Sequence, residues 1–191
     1  MADLTSINNS FQARFSGKVK VQPLFREETT WLVEGSELLP VLTALKEEGF
    51  DLLIDLSTVD NFGDEPRFEI VYELYSTALN QNLRVKAVIS EDVNSVPTVS
   101  SLWRTANWHE REAYDMMGIR FEGHPDLRRI LMWEGYPYHP LKKDFPLEGK
   151  VTDMPDIAFS KPAPLEGGPF VTAPADRSGD REPKARPSAA V

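Results

Sequence analysis

The chain contains no cysteine. That excludes disulfides, thiol catalysis and the cysteine ligands that an ordinary iron–sulfur cluster requires. Histidine is scarce: only His109, His124 and His139 occur, with no close pair among them. A helical metal pair needs a spacing of three or four residues, so these histidines read as surface or hydrogen-bonding groups. No apolar run is long enough for a membrane-spanning helix. The opening stretch MADLTSINNSFQARF lacks a basic region followed by a long apolar segment, so no secretory signal is expected and a cytosolic address is the default. There is no GxGxxG, no GxxxxGK(S/T) and no GxSxG, so neither a nucleotide cradle nor a nucleophile elbow is indicated.

What is present suits one domain with extensions: 191 residues, 41% of them hydrophobic. The net charge of −9 is unevenly placed. Residues 1–117 hold 10 Lys and Arg against 19 Asp and Glu, whereas residues 118–150 hold 6 against 5. An acidic body argues against nucleic acid and against electrostatic attachment to an anionic lipid surface.

The pattern over residues 1–117 predicts an α+β domain with a mostly antiparallel sheet and packed helices. In SELLPVLTALKEEGF, Leu38, Leu42 and Leu45 recur at helical spacing. Ser36 suits an N-cap and Gly49 a C′ position, which predicts a helix over 37–48. FDLLIDLSTVD predicts a strand over 50–58. RFEIVYELYST and NLRVKAVIS both alternate, with Phe68, Ile70, Tyr72 and Leu74, then Leu83, Val85, Ala87 and Ile89, on the inner face. A short polar connection makes them a β-hairpin with one wet face. GKVKVQPLF and TTWLVEG are expected as earlier strands.

Pro97 and Thr98 predict a helix start, with Val99, Leu102, Trp103 and Ala106 as its apolar stripe. Asn107 and Glu110 predict a capping box for a second helix over 108–117, which Gly118 ends. Glu110, Glu112 and Asp115 do not form a catalytic carboxylate pair on this spacing. Arg111 and Asp115, four apart, are expected to pair within the helix.

Residues 118–150 contain GHPDLRRILMWEGYPYHPLKKDFPLEG, with neither helical nor strand periodicity. Its prolines and glycines preset bends, its backbone needs partners elsewhere, and its aromatic and basic side chains are types that anchor interfaces. The stretch reads as an extended, irregular, partner-binding arm. RNA stacking is disfavoured by the acidic body. Residues 151–191 hold seven prolines, and their composition predicts a tail that is disordered at its far end.

The sequence HEREAYDMMGIRFEGHPDLRRILMWEGYPYHPLKKDFPLEG, residues 109–149, resembles the signature of the C-subunit of NADH:quinone oxidoreductase, respiratory complex I. The matching blocks are residues 110–112, 114–116, 118–119, 123–131 and 139–147. Lys142 stands where the family usually has arginine, which keeps charge but loses the planar fork. The resemblance implies a cluster-free, non-catalytic peripheral-arm subunit on the cytoplasmic face of the inner membrane. It implies that the D-subunit of the same complex is the main partner, with the B-subunit and other neighbours adjoining. It also implies that FMN and the iron–sulfur clusters reside in other subunits. On this basis Arg111, His124, Arg128, Arg129, Trp133, Tyr136, Tyr138, His139, Lys142, Lys143 and Phe145 are the expected partner-binding residues. The alternatives are the equivalent subunit of a membrane-bound hydrogenase or of a ferredoxin- or deazaflavin-dependent complex, and a stand-alone protein-interaction module.

Overall fold

The computed structural model describes residues 4–146, apart from residues 16 and 27. The Pro-rich tail lies outside the described residues. Five strands form one mixed sheet: β1 (Val19–Val21), β2 (Thr30–Glu34), β3 (Leu52–Asp60), β4 (Phe68–Ser76) and β5 (Gln81–Ile89). Their spatial order is β1-β2-β5-β4-β3. All neighbours are antiparallel except β2 and β5, which run parallel. Two helices precede the central strands: α1 (Leu4–Arg14), and α2 (Leu38–Glu47) led by a 3₁₀ turn at Gly35–Glu37. A two-stranded parallel pair, β6 (Ser95–Pro97) and β7 (Arg120–Glu122), brackets α3 (Ala106–Met117). The α+β class and the mostly antiparallel sheet follow the alternation in the sequence.

The core lies on one face of the sheet. Phe68, Ile70, Tyr72 and Leu74 of β4 and Leu83, Val85, Ala87 and Ile89 of β5 are buried there, as expected. Leu38, Val41, Leu42 and Leu45 of α2 join them in one cluster. Each such side chain contributes about 1.5–3 kcal/mol on burial. The opposite face is wet. Lys86 pairs with Glu69 at 3.1 Å, and Arg84 pairs with Glu73 across the same two strands.

Helix α1 has no counterpart in the sequence reading, because it buries Ile7 and Phe11 among mostly polar neighbours and shows no clear apolar stripe. Phe11 packs on Trp31 with ring centroids 5.0 Å apart, and Asn8 accepts a hydrogen bond from the Trp31 indole at 2.9 Å. The stretch after Pro97 is not a helix. Pro97 ends strand β6, the Thr98 N–H donates to the Glu122 carbonyl at 2.9 Å, and residues 98–105 run as turns into α3. Val99, Trp103 and Ala106 are still buried, so their apolar spacing reflects packing of turns and not a helical stripe.

Helix α3 begins at Ala106, and its cap, Thr105, makes no side-chain capping bond. Glu110 does not close a capping box. Its carboxylate reaches outside the helix and accepts from the Val99 N–H at 2.7 Å and from the Thr98 hydroxyl. Gly118 ends the helix in the left-handed region at φ 75°. The stretch after it begins inside the core, where Ile119 and Phe121 are buried. All described residues belong to one compact unit.

Candidate partner-docking face

Helix α3 is the post on which residues 123–146 hang. Asp115, fully buried, is the principal anchor. Its Oδ2 accepts the backbone N–H groups of Ile130, Leu131 and Met132 at 3.0, 2.7 and 2.9 Å. Its Oδ1 accepts from Arg129 Nη1 at 2.5 Å. Burial alone would raise this carboxyl, but the Met132 N–H, the Arg129 guanidinium and the two neighbouring N–H groups outweigh it and hold it below the usual range. The expected Arg111–Asp115 pair does not form. Arg111 turns instead to the Arg128 and Arg129 carbonyls, because the irregular segment brings three N–H donors and a second guanidinium to Asp115.

The two His-Pro steps also lie on the body. His124 accepts the Asp126 N–H on Nδ1 at 3.0 Å, which leaves Nε2 to donate to the Asn107 carbonyl at 3.1 Å. The imidazole side chain is buried and stands 3.7 Å from Glu110. Burial pushes the Glu110 carboxyl up to about 7, against the pull of its Thr98 and Val99 donors. His139 places Nδ1 3.0 Å from the Asp115 carbonyl, and its ring lies over Gly118. Burial holds this imidazole below its ordinary value, helped by the nearby Arg129 and Lys142 charges. The Leu141 N–H then donates to the Met116 carbonyl at 3.0 Å.

A second post lies where β3 ends and β4 begins. Arg67, almost fully buried, forks onto Asp60 with two contacts of 2.8 Å. It also meets Glu91 at 2.6 Å and Asp144 at 3.1 Å. The Arg67 hydrogen bonds hold the Asp60 carboxyl below its usual range despite burial. Asp60 also accepts the Lys143 N–H at 2.8 Å, and Lys142 sits over the Phe68 ring.

The expected partner residues therefore divide. His124, Arg129, Tyr136 and His139 are spent on the chain's own body, with Tyr136 under the Arg129 guanidinium. Tyr138 and Phe145 are partly buried in a line of rings, where Tyr136 meets Tyr138 at 5.6 Å and Tyr138 meets Phe145 at 6.0 Å, and Lys142, also partly buried, lies over Phe68. Arg128, Trp133 and Lys143 face outward. Sequence reasoning missed three further outward side chains: Trp108, Leu131 and Leu141, 63%, 61% and 58% exposed. It also missed Asp60 and Arg67, whose only signal is opposite charge at the facing ends of adjacent strands.

The sequence family described as "Respiratory-chain NADH dehydrogenase, 30 Kd subunit" matches residues 31–151, a span that holds α3, both posts and all the anchoring contacts. The chain belongs to that family. The NADH-quinone oxidoreductase C-subunit of Geotalea uraniireducens is 42% identical over 153 residues, covering 78% of this chain and 93% of that one. The second C-subunit of Rhizobium meliloti is 52% identical over 117 residues, covering 61% and 64%. Among solved structures, the trypsin-resistant fragment (1-134) of Nqo5 aligns with a TM-score of 0.59 at 28% identity, over 65% of this chain and 98% of the fragment. A chain of the membrane-bound sulfane sulfur reductase, an archaeal respiratory membrane complex, shares the fold with a TM-score of 0.65 at 22% identity, over 75% and 85%. Relatives of this 30 Kd family are thus subunits of NADH-quinone oxidoreductase. Among the described residues no helix is long and apolar enough to cross a membrane.

Proposed function

We propose that this chain is a cofactor-free, non-catalytic peripheral-arm subunit of a proton-translocating NADH-quinone oxidoreductase. It scaffolds the quinone-reducing module by binding the D-subunit, with the B-subunit and other neighbours adjoining. FMN and the iron–sulfur clusters belong to other subunits, and attachment to the cytoplasmic face of the inner membrane runs through those partners. The observation that carries the reading is the set of large apolar side chains, Trp108, Leu131, Trp133 and Leu141, that point outward from a surface fixed by Asp115 and Asp60. Aromatic anchors on a surface already ordered by its own domain bind without a further ordering cost. Relatives at 42% and 52% identity that carry the NADH-quinone oxidoreductase name favour this complex over hydrogenase-type assemblies.

The test separates folding from assembly. Leu131→Ala with Leu141→Ala removes two exposed side chains, so the stability of the isolated chain should change by less than about 1 kcal/mol in all. Co-purification of the D-subunit should fall at least about tenfold. Unchanged co-purification with a lowered melting temperature would sink the reading. Stoichiometric iron or flavin in the isolated protein would sink its cofactor part.

A further inference from the structure

Three arginines line one cleft of about 300 Å³, together with Trp108, Ile130 and Glu134. Two of the three have their counter-ions. Arg128 pairs with Asp126 at 2.8 Å and Arg129 with Asp115 at 2.5 Å. Arg111 differs. It is 8% exposed, yet it forms no ion pair with any carboxylate among the described residues. Its Nε donates to the Arg128 carbonyl at 3.1 Å and its Nη2 to the Arg129 carbonyl at 3.4 Å. Its guanidinium lies over the Trp108 ring at 5.0 Å. Carbonyls and a ring orient a cation, but a charge removed from water without an opposite charge is costly.

We infer that Arg111 receives a carboxylate side chain from a neighbouring protein subunit, inserted into this cleft between Trp108 and Arg128. The inference rests on the docking reading above. Guanidinium against carboxylate is a charge-assisted contact with its own geometry. At about 300 Å³ the cleft has room for an acidic side chain carried on a partner's surface. Its walls include the exposed Trp108 ring and Ile130. A free small anion would leave those walls wet, whereas an Asp or Glu carried on a protein surface covers them. Glu134, the acid of the cleft itself, is exposed and pairs with no cation among the described residues, so it is not the missing counter-ion.

The test uses the assembled complex. Arg111→Lys keeps the charge and supplies an amine that a zero-length carbodiimide couples to a touching carboxylate; the native guanidinium does not couple. Peptide mass spectrometry should find position 111 joined to an Asp or Glu of another subunit. Coupling to an acid of this same chain, or none while exposed lysines such as Lys143 do couple, would overturn the inference. Glu134→Gln gives an independent check should the first variant fail to assemble. Its melting temperature should stay within about 3 °C of the parent protein's, and its co-purification with the D-subunit within about twofold. A clear fall in melting temperature would make Glu134 the counter-ion and sink the idea. An internal cross-link with the D-subunit still bound removes only this inference. Failure of the unaltered chain to bind the D-subunit removes the docking reading, and this inference with it.

Discussion

A Cβ added to Gly118 would stand 2.7 Å from Cδ2 of His139. The helix end and the second His-Pro step thus occupy each other's space, with no room for a methyl group. Gly118 also has φ 75°, where a side chain costs about 1–2 kcal/mol before any clash. Gly118→Ala should therefore lower stability by more than that strain alone. Adding His139→Ala should recover part of the loss. The pair is read by a double-mutant cycle in urea, and strict additivity would show that the ring does not press on the helix end.

Asp115→Asn should release the irregular segment. It leaves Arg129 without its carboxylate and weakens three backbone contacts, a change of about 3 kcal/mol. Trypsin should then cut after Arg128 or Arg129 much faster than in the parent chain. Unchanged cleavage would mean that other contacts carry the anchoring.

Arg67→Ala should be more damaging than Asp144→Ala, although the two residues touch. Arg67 is buried beside Asp60, so its loss strands a buried carboxylate and costs about 3–5 kcal/mol. Asp144 is half exposed, and its loss should cost less than about 1 kcal/mol. Thermal melting of the two variants decides the order.

Glu110 predicts a pH dependence with a definite sign. Its carboxyl is raised to about 7 by burial, from an ordinary value of 4.5. Between those values the folded state binds more proton than the unfolded state, so stability falls as pH rises through the window. The penalty is fully present above about pH 7 and amounts to about 3 kcal/mol at 1.36 kcal/mol per pKa step. His124, at 3.7 Å, and the buried Tyr72 face the same carboxyl and are common to both proteins compared. Glu110→Gln should flatten the melting curve between pH 5 and 8 and stabilise the chain at pH 8. An equal slope in both proteins would contradict the raised value.

The sheet is legible because its residues obey a local rule. Alternation from Phe68 to Leu74 and from Leu83 to Ile89 states which face is buried, and no distant contact overrides it. The helix expected after Pro97 is absent for the opposite reason. Thr98 and Val99 are held by Glu110, eleven or more residues downstream, and no local window contains that bond. The same holds at Asp115. A helical spacing of four suggests Arg111, but the actual partners lie at 129–132 and reach it only after the chain has folded back. The arm is legible as a segment that needs outside hydrogen-bond partners. That its own helix supplies many of them is not, since composition does not name the acceptor.

The chain is tied to α3 at residues 129–132, and again from 139 onward to α3 and then to Asp60, so that residues 133–138 run between two fixed ties. Replacements at the exposed positions Trp133, Glu134 and Pro137 leave the hydrogen bonds of both ties untouched, whereas Tyr136 is buried under the Arg129 guanidinium and belongs with the first tie. Such a layout lets the lettering on the signboard be rewritten while the frame stays nailed up. On the docking reading proposed above, partner preference drifts in a lineage through those exposed positions, without renegotiating the fold that displays them.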